Sequence, residues 1–392
     1  MPASLKRPAL IPLTILAIWA CGCAIASTRP GPASPASSVL IGPYVTAVGP
    51  RQLTVRWETA KPVPTLLRWG TAPRCAETYE DTRPVKRHEA TLSSLEPGNV
   101  YWYSLDAAAS PASAVPVRTQ AVGAAQVRIA VLGDTHSVLN SAHEQNVAGI
   151  LADKPDLVLH TGDLSVGRTE SRLQDFFLLE ASVLRSVPIY PALGNHDGSG
   201  ARFTQLFLPK QDHRPAPYYS IRWGAVAVIA LDTNQSVAER SAQWRWLSST
   251  LAALAGDPGV AFKLVEMHWG PFDSGSGHGS NLKVRDAMVP LFERYGVDLV
   301  LSGHDHVFER STVNGVKYVV TGGGGGGGGK YGYKRHMVMG SWWTEAQASE
   351  FHHCLLEIAG NTLHFTAREA GTGRVLDQFT LDKRLQSGER AR

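Results

Sequence analysis

Five short clusters in the 392-residue chain carry side chains able to hold cations: Asp134-Thr135-His136, Gly162-Asp163, Gly194-Asn195-His196-Asp197, His268 and Gly303-His304-Asp305-His306. Taken singly, each has an ordinary structural explanation. Asp134 and His136 fit a cap or a surface turn, and Gly, Asn and Asp favour turns in any protein. A lone His268 is more often a hydrogen-bonded core residue than a ligand. His304 and His306 say more, because two histidines two residues apart at a strand end can both face a cavity once the chain turns. Together the clusters change meaning. Imidazole, carboxylate and amide oxygen make the mixed N/O donor set that suits Zn, Fe, Mn or Ni. The donors suffice for two ions, and a carboxylate can bridge them. Two cations about 3.5–4 Å apart form the clamp used for in-line displacement at phosphorus.

The elements that must position these residues are legible around them. The apolar runs "VRIAVLGD", "PDLVLHTGD", "VPIYPALGNHD", "AFKLVEMHWG" and "VDLVLSGHD" each end in one of the clusters. Continuous Val/Ile/Leu runs predict strands buried on both faces. Segments of helical character lie between several of them, at Ser241–Ala255 and Asn281–Tyr295. In α/β sheets ligands gather beyond the carboxyl ends of the strands, so five such ends would converge on one place. The strand-like runs "HHCLLEIAG", "TLHFTARE" and "VLDQFTL" close this α/β domain, expected over 125–385. Before it, residues 39–120 show short strands and turns. "QLTVRWET" alternates Leu53, Val55 and Trp57 inward, and strand-sized runs recur between Gly and Pro, the pattern of a small β-sandwich.

The order D-x-H, GD, GNHD, H, GHxH resembles the calcineurin-like metallophosphoesterase family over about Val127 to Arg310. The β-domain resembles a fibronectin type III sandwich, with Trp57 as core tryptophan and a tyrosine corner near Leu95-Glu96-Pro97-Gly98 and Tyr101. That pairing, with "LDTN" at Leu231–Asn234, "SAQWRWL" at Ser241–Leu247 and "GHDHVFER" at Gly303–Arg310, resembles the purple acid phosphatase branch. The resemblance implies an αββα catalytic domain, two β-sheets flanked by helices, behind the all-β module. It implies a first metal held by Asp134, His136, Asp163 and His306, and a second held by the bridging Asp163 with Asn195, His268 and His304. It implies Fe, Zn or Mn as the ions and a hydroxide shared by them as the nucleophile. His196 would stabilise the transition state or protonate the leaving oxygen, and Asp197 would orient its imidazole. Asn195, His196 and His278, the last in the Gly/Ser loop "DSGSGHGSN", would face the substrate. Two departures stand out. Val166 occupies the position, three residues after the bridging aspartate, where purple acid phosphatases carry a tyrosine, and His136 is present where they usually lack a histidine.

Eight glycines, Gly322–Gly329, precede Lys330. A phosphate loop needs Ser or Thr after that lysine, and Tyr331 stands there. The start of the run instead resembles the family's exit loop, where small residues let the backbone pass close to the metals, and the extra glycines are expected to be a flexible expansion. His160, His352 and His353 are expected in structural roles. Trp269, Trp342, Trp343 and Tyr331 are expected to pack in the core unless they line a pocket. Cys75 and Cys354 are expected to be buried and unpaired rather than bridged.

The N-terminus has the order of an export signal: Lys6 and Arg7, an apolar run from Pro8 to Ala20, then small residues. Cleavage after Ala24-Ile25-Ala26 would release a chain starting at Ser27, and lipidation at Cys23 after Gly22 fits equally well. Residues 27–38 read as a Pro/Ser-rich tether. A net charge of +4 without a Lys/Arg cluster gives no reason to expect a nucleic-acid backbone as partner. The expected activity is an exported two-metal phosphomonoesterase acting on a small phosphorylated substrate. A phosphodiesterase for cyclic nucleotides or phospholipid head groups would use the same metal core. A cell-surface binding protein with a degenerate enzyme domain would show a broken ligand set, and here the set is complete.

Overall fold

The computed structural model describes residues 39–383 apart from 109, 124–125, 139, 168, 199, 209–216 and 327–335. The expected export segment with Cys21 and Cys23, the expected tether, Gly327–Gly329, Lys330 and Tyr331 lie outside the described residues.

The all-β part contains β1 (Val39–Thr46), β2 (Gln52–Gly70), β3 (Glu77–Ser93), β4 (Val100–Ser104) and β5 (Val115–Arg118). The five strands share one antiparallel hydrogen-bonded network in which the long β2 pairs with β1, β3 and β4. The β2–β3 register shifts between Glu58 and Thr65, where Pro62 and Pro64 cannot donate to the ladder. Leu53, Val55 and Trp57 are buried as their alternation predicts, but so is Arg56 on the other face. Its guanidinium donates to the carbonyls of Leu206 and Leu208, each at 2.8 Å, and pairs with Glu89. Tyr44 also donates to Leu206 O, and Tyr103 to Arg185 O. The second face of this sheet is thus docked on the α/β part, which simple alternation cannot foresee.

The α/β part runs β6 (Val127–Leu132), α1 (Ser141–Asp153), β7 (Leu157–His160), α2 (Glu170–Leu179), α3 (Ala181–Leu184), β8 (Ile189–Pro191), α4 (Gly200–Phe207), β9 (Tyr219–Trp223), β10 (Val226–Ala230), α5 (Ala242–Ala255), β11 (Phe262–Trp269), α6 (Leu282–Tyr295), β12 (Leu299–Gly303), β13 (Phe308–Val313), β14 (Val316–Thr321), β15 (Thr344–Ala348), β16 (His352–Ala359), β17 (Thr362–Glu369) and β18 (Val375–Asp382). One mixed sheet has the order β18-β17-β16-β6-β7-β8, the other β15-β13-β14-β12-β11-β10-β9. The continuous apolar runs are explained by burial on both faces. On β12, Leu299 and Leu301 join the core shared with β6 and β7, while Val300 belongs to the other core, with Leu247 and Leu251 of α5 and Met288 of α6. Both helices begin where the sequence places them. Ser241 Oγ accepts from Trp244 N–H and Asn281 Oδ1 from Val284 N–H, each at 3.2 Å, satisfying a first-turn donor.

Two expectations about isolated residues resolve differently. Cys75 and Cys354 are both buried and free. Trp342 does not pack in the core: it is 79% exposed, because Trp343 takes the inward place against Phe272 and Arg285.

Candidate metal centre

The five clusters do meet. Asp134 and His136 follow β6, Asp163 follows β7, Asn195, His196 and Asp197 follow β8, His268 is the penultimate residue of β11, and His304 and His306 follow β12. Each sits just beyond or at the carboxyl end of its strand, where the chain must turn sharply to leave the sheet. Asp134, His136, Asp163 and His304 all have positive φ, between 52° and 75°. Non-glycine residues in this region cost roughly 1–3 kcal/mol each and persist where the surroundings enforce them. Backbone bonds do so here: Asp134 N–H donates to Gly162 O at 2.9 Å and His136 N–H to Asp163 O at 3.0 Å.

Two groups of donor atoms result. Asp134, His136 and His306 form one; Asp163, His268 and His304 form the other, with the ligand atoms of each group within 4.8 Å of one another. In the first, His136 Nε2 lies 3.1 Å from His306 Nε2, which is 3.6 Å from Asp134 Oδ1. In the second, His268 Nε2 lies 2.8 Å from Asn195 Oδ1, 3.1 Å from His304 Nδ1 and 3.3 Å from Asp163 Oδ2. The same Asp163 oxygen is 3.7 Å from His136 Nε2, so it stands between the groups. Buried imidazole nitrogens aimed at one another this closely fit a positive ion held between them. This donor set therefore fits two divalent cations, one per group, with Asp163 shared.

Thr161 is a positioning residue that the sequence does not advertise. Its carbonyl takes the His268 Nδ1–H at 2.9 Å, leaving Nε2 toward the site, the usual way a backbone oxygen sets a ligand tautomer. Asp197 does not take the role expected of it. Its carboxylate accepts the N–H groups of Gly194 at 2.8 Å, Asp163 at 2.9 Å and Ser165 at 3.0 Å. It therefore shapes the turns that carry Asp163 and Asn195 rather than orienting the His196 ring. His196 is held through its backbone, whose N–H donates to Asp163 Oδ1 at 2.8 Å, and its side chain is 35% exposed beside the site.

The glycine run is not loose where it is described. Gly324 N–H donates to Gly133 O at 2.9 Å and Gly326 N–H to Asp134 O at 2.7 Å. A Cβ on Gly326 would lie 2.2 Å from His136 Cδ2, so the backbone passes against the first group as the family resemblance implies. His160 is structural, its Nε2 3.2 Å from Thr135 Oγ1. His352 and His353 are too, against Thr321 and Asp153. Trp269 is half-exposed at the site, its ring centroid 4.8 Å from that of His304.

Electrostatics separate the ligands. Burial pulls His136 down to about 4 despite Asp163 and Asp134, and burial with His268 takes His304 to about 2. Burial also disfavours a charged His268, but the Asp163 carboxylate outweighs it and holds this imidazole up at about 10. In the metal-free protein His268 thus carries a proton that a cation must displace. The sign follows: metal competes better as pH rises. We expect apparent affinity at this group to rise about tenfold per pH unit between about pH 6 and 8 for each proton displaced. Calorimetry in two buffers of different ionisation enthalpy checks it, and equal heats in both would refute it.

Residues 127–308 match the calcineurin-like phosphoesterase family. An uncharacterized protein of Mycobacterium tuberculosis is 32% identical over 160 residues, covering 35% of this chain and 30% of its own length. Tartrate-resistant acid phosphatase type 5 of Oryctolagus cuniculus is 28% identical over 250 residues, 56% of this chain and 75% of that protein. A purple acid phosphatase isolated from yellow lupin (Lupinus luteus) seeds shares the fold, with a TM-score of 0.72 over 87% of this chain and 74% of that one at 18% identity. The chain spans only about a third of the mycobacterial relative's length, 30%. Segment 127–308 is a calcineurin-like phosphoesterase domain, of a family that works with a binuclear metal centre. Among these relatives the chain is similar to acid phosphatases, and its fold is that of a purple acid phosphatase.

Proposed function

We propose that the protein is an exported, metal-dependent phosphoester hydrolase that acts on small phosphate monoesters. The observation that carries this reading is the Asp163 carboxylate, set between two buried Asp/His groups with His196 beside them on a partly open face. Asp134, His136, Asp163 and His306 would hold one cation; Asp163, Asn195, His268 and His304 would hold the other. Two bound cations, Fe, Zn or Mn, would supply Lewis acidity and an activated hydroxide for attack on phosphorus. The chain's own part is to place the substrate. Asn195, His196 and His278 present polar groups to the phosphoryl oxygens, and His196 donates a proton to the leaving oxygen. Asp197 holds the turns that bring Asp163 and Asn195 into register.

Export rests on the N-terminal sequence, with a lipid tether through Cys23 as one form of it. The 39–120 segment is proposed as a fibronectin type III-like module, supported by the Tyr101 hydroxyl, which accepts the Glu96 N–H at 2.8 Å as a tyrosine corner would.

The test is hydrolysis of an aryl phosphate monoester against the matching diester by the metal-reconstituted chain from Ser27. Monoester preference supports the proposal. Diester preference keeps the metal chemistry and makes the protein a phosphodiesterase. No turnover of either with any divalent metal would overturn the enzymatic reading. A colour test accompanies it. Val166 lies where a tyrosinate ligand would colour an iron centre, so the iron-loaded protein should show no intense visible charge-transfer band. A purple sample would mean that another tyrosine reaches the metal.

A further inference from the structure

Asp305 stands between two proposed metal ligands, His304 and His306. Its own carboxylate points elsewhere, into the back of the Gly/Ser loop 273–281, and is fully buried. Oδ1 accepts the Gly277 N–H at 3.0 Å and Oδ2 the Gly279 N–H at 2.8 Å, while the His278 N–H lies 3.1 and 3.2 Å from the two oxygens. Three successive N–H groups turned onto one anion form a nest. His336 adds a fourth partner, its Nδ1 2.6 Å from Oδ1. A Cβ on Gly277 would lie 2.3 Å from that same oxygen, so the loop composition serves close approach rather than freedom. Glu309 and Trp269 fix the loop's flanks: Glu309 takes the Ser274 N–H and hydroxyl, each at 2.7 Å, and Trp269 Nε1–H donates to Gly279 O at 2.7 Å. The result is a His278 ring stacked on His304, with centroids 3.9 Å apart and planes 26° off parallel.

We infer that Asp305 is the positioning residue for His278. It welds the substrate-facing loop to the metal-ligand loop through backbone N–H groups, so His278 is presented to the phosphoryl group in a fixed place. This rests on the phosphoester reading, in which His278 contacts the phosphoryl oxygens. A residue filling space between two ligands would have no such directional effect.

The experiment is a double-mutant cycle on the full metal-loaded protein with Asp305→Ala, His278→Ala and both. Inorganic phosphate binding is read by calorimetry, monoester KM and kcat by turnover, and metal content by mass spectrometry. Losing hydrogen bonds to a charged group should weaken phosphate and raise KM about tenfold in each single variant, with kcat within about twofold. The double variant should be no weaker than His278→Ala, because both act through one imidazole. Asp305→Asn, which keeps the shape and one acceptor oxygen, should recover part of the loss. Additive effects, unchanged phosphate affinity in Asp305→Ala, or loss of metal in both Asp305 variants would overturn the inference. Amide exchange at Gly277, His278 and Gly279 separates it from the reading it rests on. A wild-type protein that holds two metals but neither binds phosphate nor turns over any ester refutes the phosphoester reading. In that case slow exchange at all three amides, lost in Asp305→Ala, would still show the anchoring, and unchanged exchange would refute that as well.

Discussion

Asp163→Asn should lower monoester turnover by about a thousandfold and empty at least one metal position. The swap keeps shape and removes only charge. The charge matters because Asp163 Oδ2 lies 3.3 Å from His268 Nε2 and 3.7 Å from His136 Nε2, so a cation in either group would sit beside it. One pair of unit charges about 4 Å apart at an effective dielectric near 20 is worth about 4 kcal/mol. Lost from the transition state, that is close to a thousandfold in rate. The Oδ1 atom also accepts the His196 N–H at 2.8 Å, so an amide turned the wrong way would push His196 out of place. Measured kcat/KM with metal content on the same sample separates the causes. If excess metal restores occupancy but not rate, the charge acts on the reaction itself. A loss under tenfold with both metals present would show that Asp163 is not shared.

Gly194→Ala should produce the largest loss of stability among single methyl additions at the site. The added Cβ would lie 2.0 Å from Asp163 N and 2.1 Å from Asp163 Oδ1, with no flexible side-chain end to give way. Forcing a methyl into such packing costs about 1–3 kcal/mol, and here the part that must move is backbone held by Asp197. The denaturant midpoint of the metal-free protein is the proper readout, since it excludes loss of metal binding. Gly256→Ala is the control. It ends α5 with negative φ, and its nearest contacts would be ordinary ones at 3.7 and 3.8 Å. That change should be neutral or slightly stabilising, because alanine restricts the unfolded chain. Equal effects at the two glycines would contradict the close approach at Gly194.

The donor clusters were legible because their chemistry is local. Strand ends are marked by apolar runs that stop, and a turn residue followed by Asp, Asn or His is visible in the chain itself. The starts of α5 and α6 near Ser241 and Asn281 were readable for the same reason, since a helix start is set by the few residues that follow it. Asp197 was misassigned because adjacency to His196 suggested a contact that the turn geometry does not make. Its carboxylate instead reaches back 34 residues to Asp163 N–H. The burial of Arg56 could not be read from the sequence, because alternation reports two faces and not what covers them.

The sequence by itself determined the donor types, their order, the α/β grammar and the absence of a tyrosine at 166. Tertiary structure alone decided the distances at which the donors meet, that Thr161 O orients His268, and that Asp305 and His336 clamp the His278 loop. His336 lies 31 residues beyond Asp305 with no motif around it. Nothing short of the folded backbone can tell that an imidazole from there comes within 2.6 Å of a carboxylate buried behind the proposed metal ligands. Donor chemistry is a property of residues, whereas sharing and orientation depend on distances between elements far apart in the chain, and packing sets those distances.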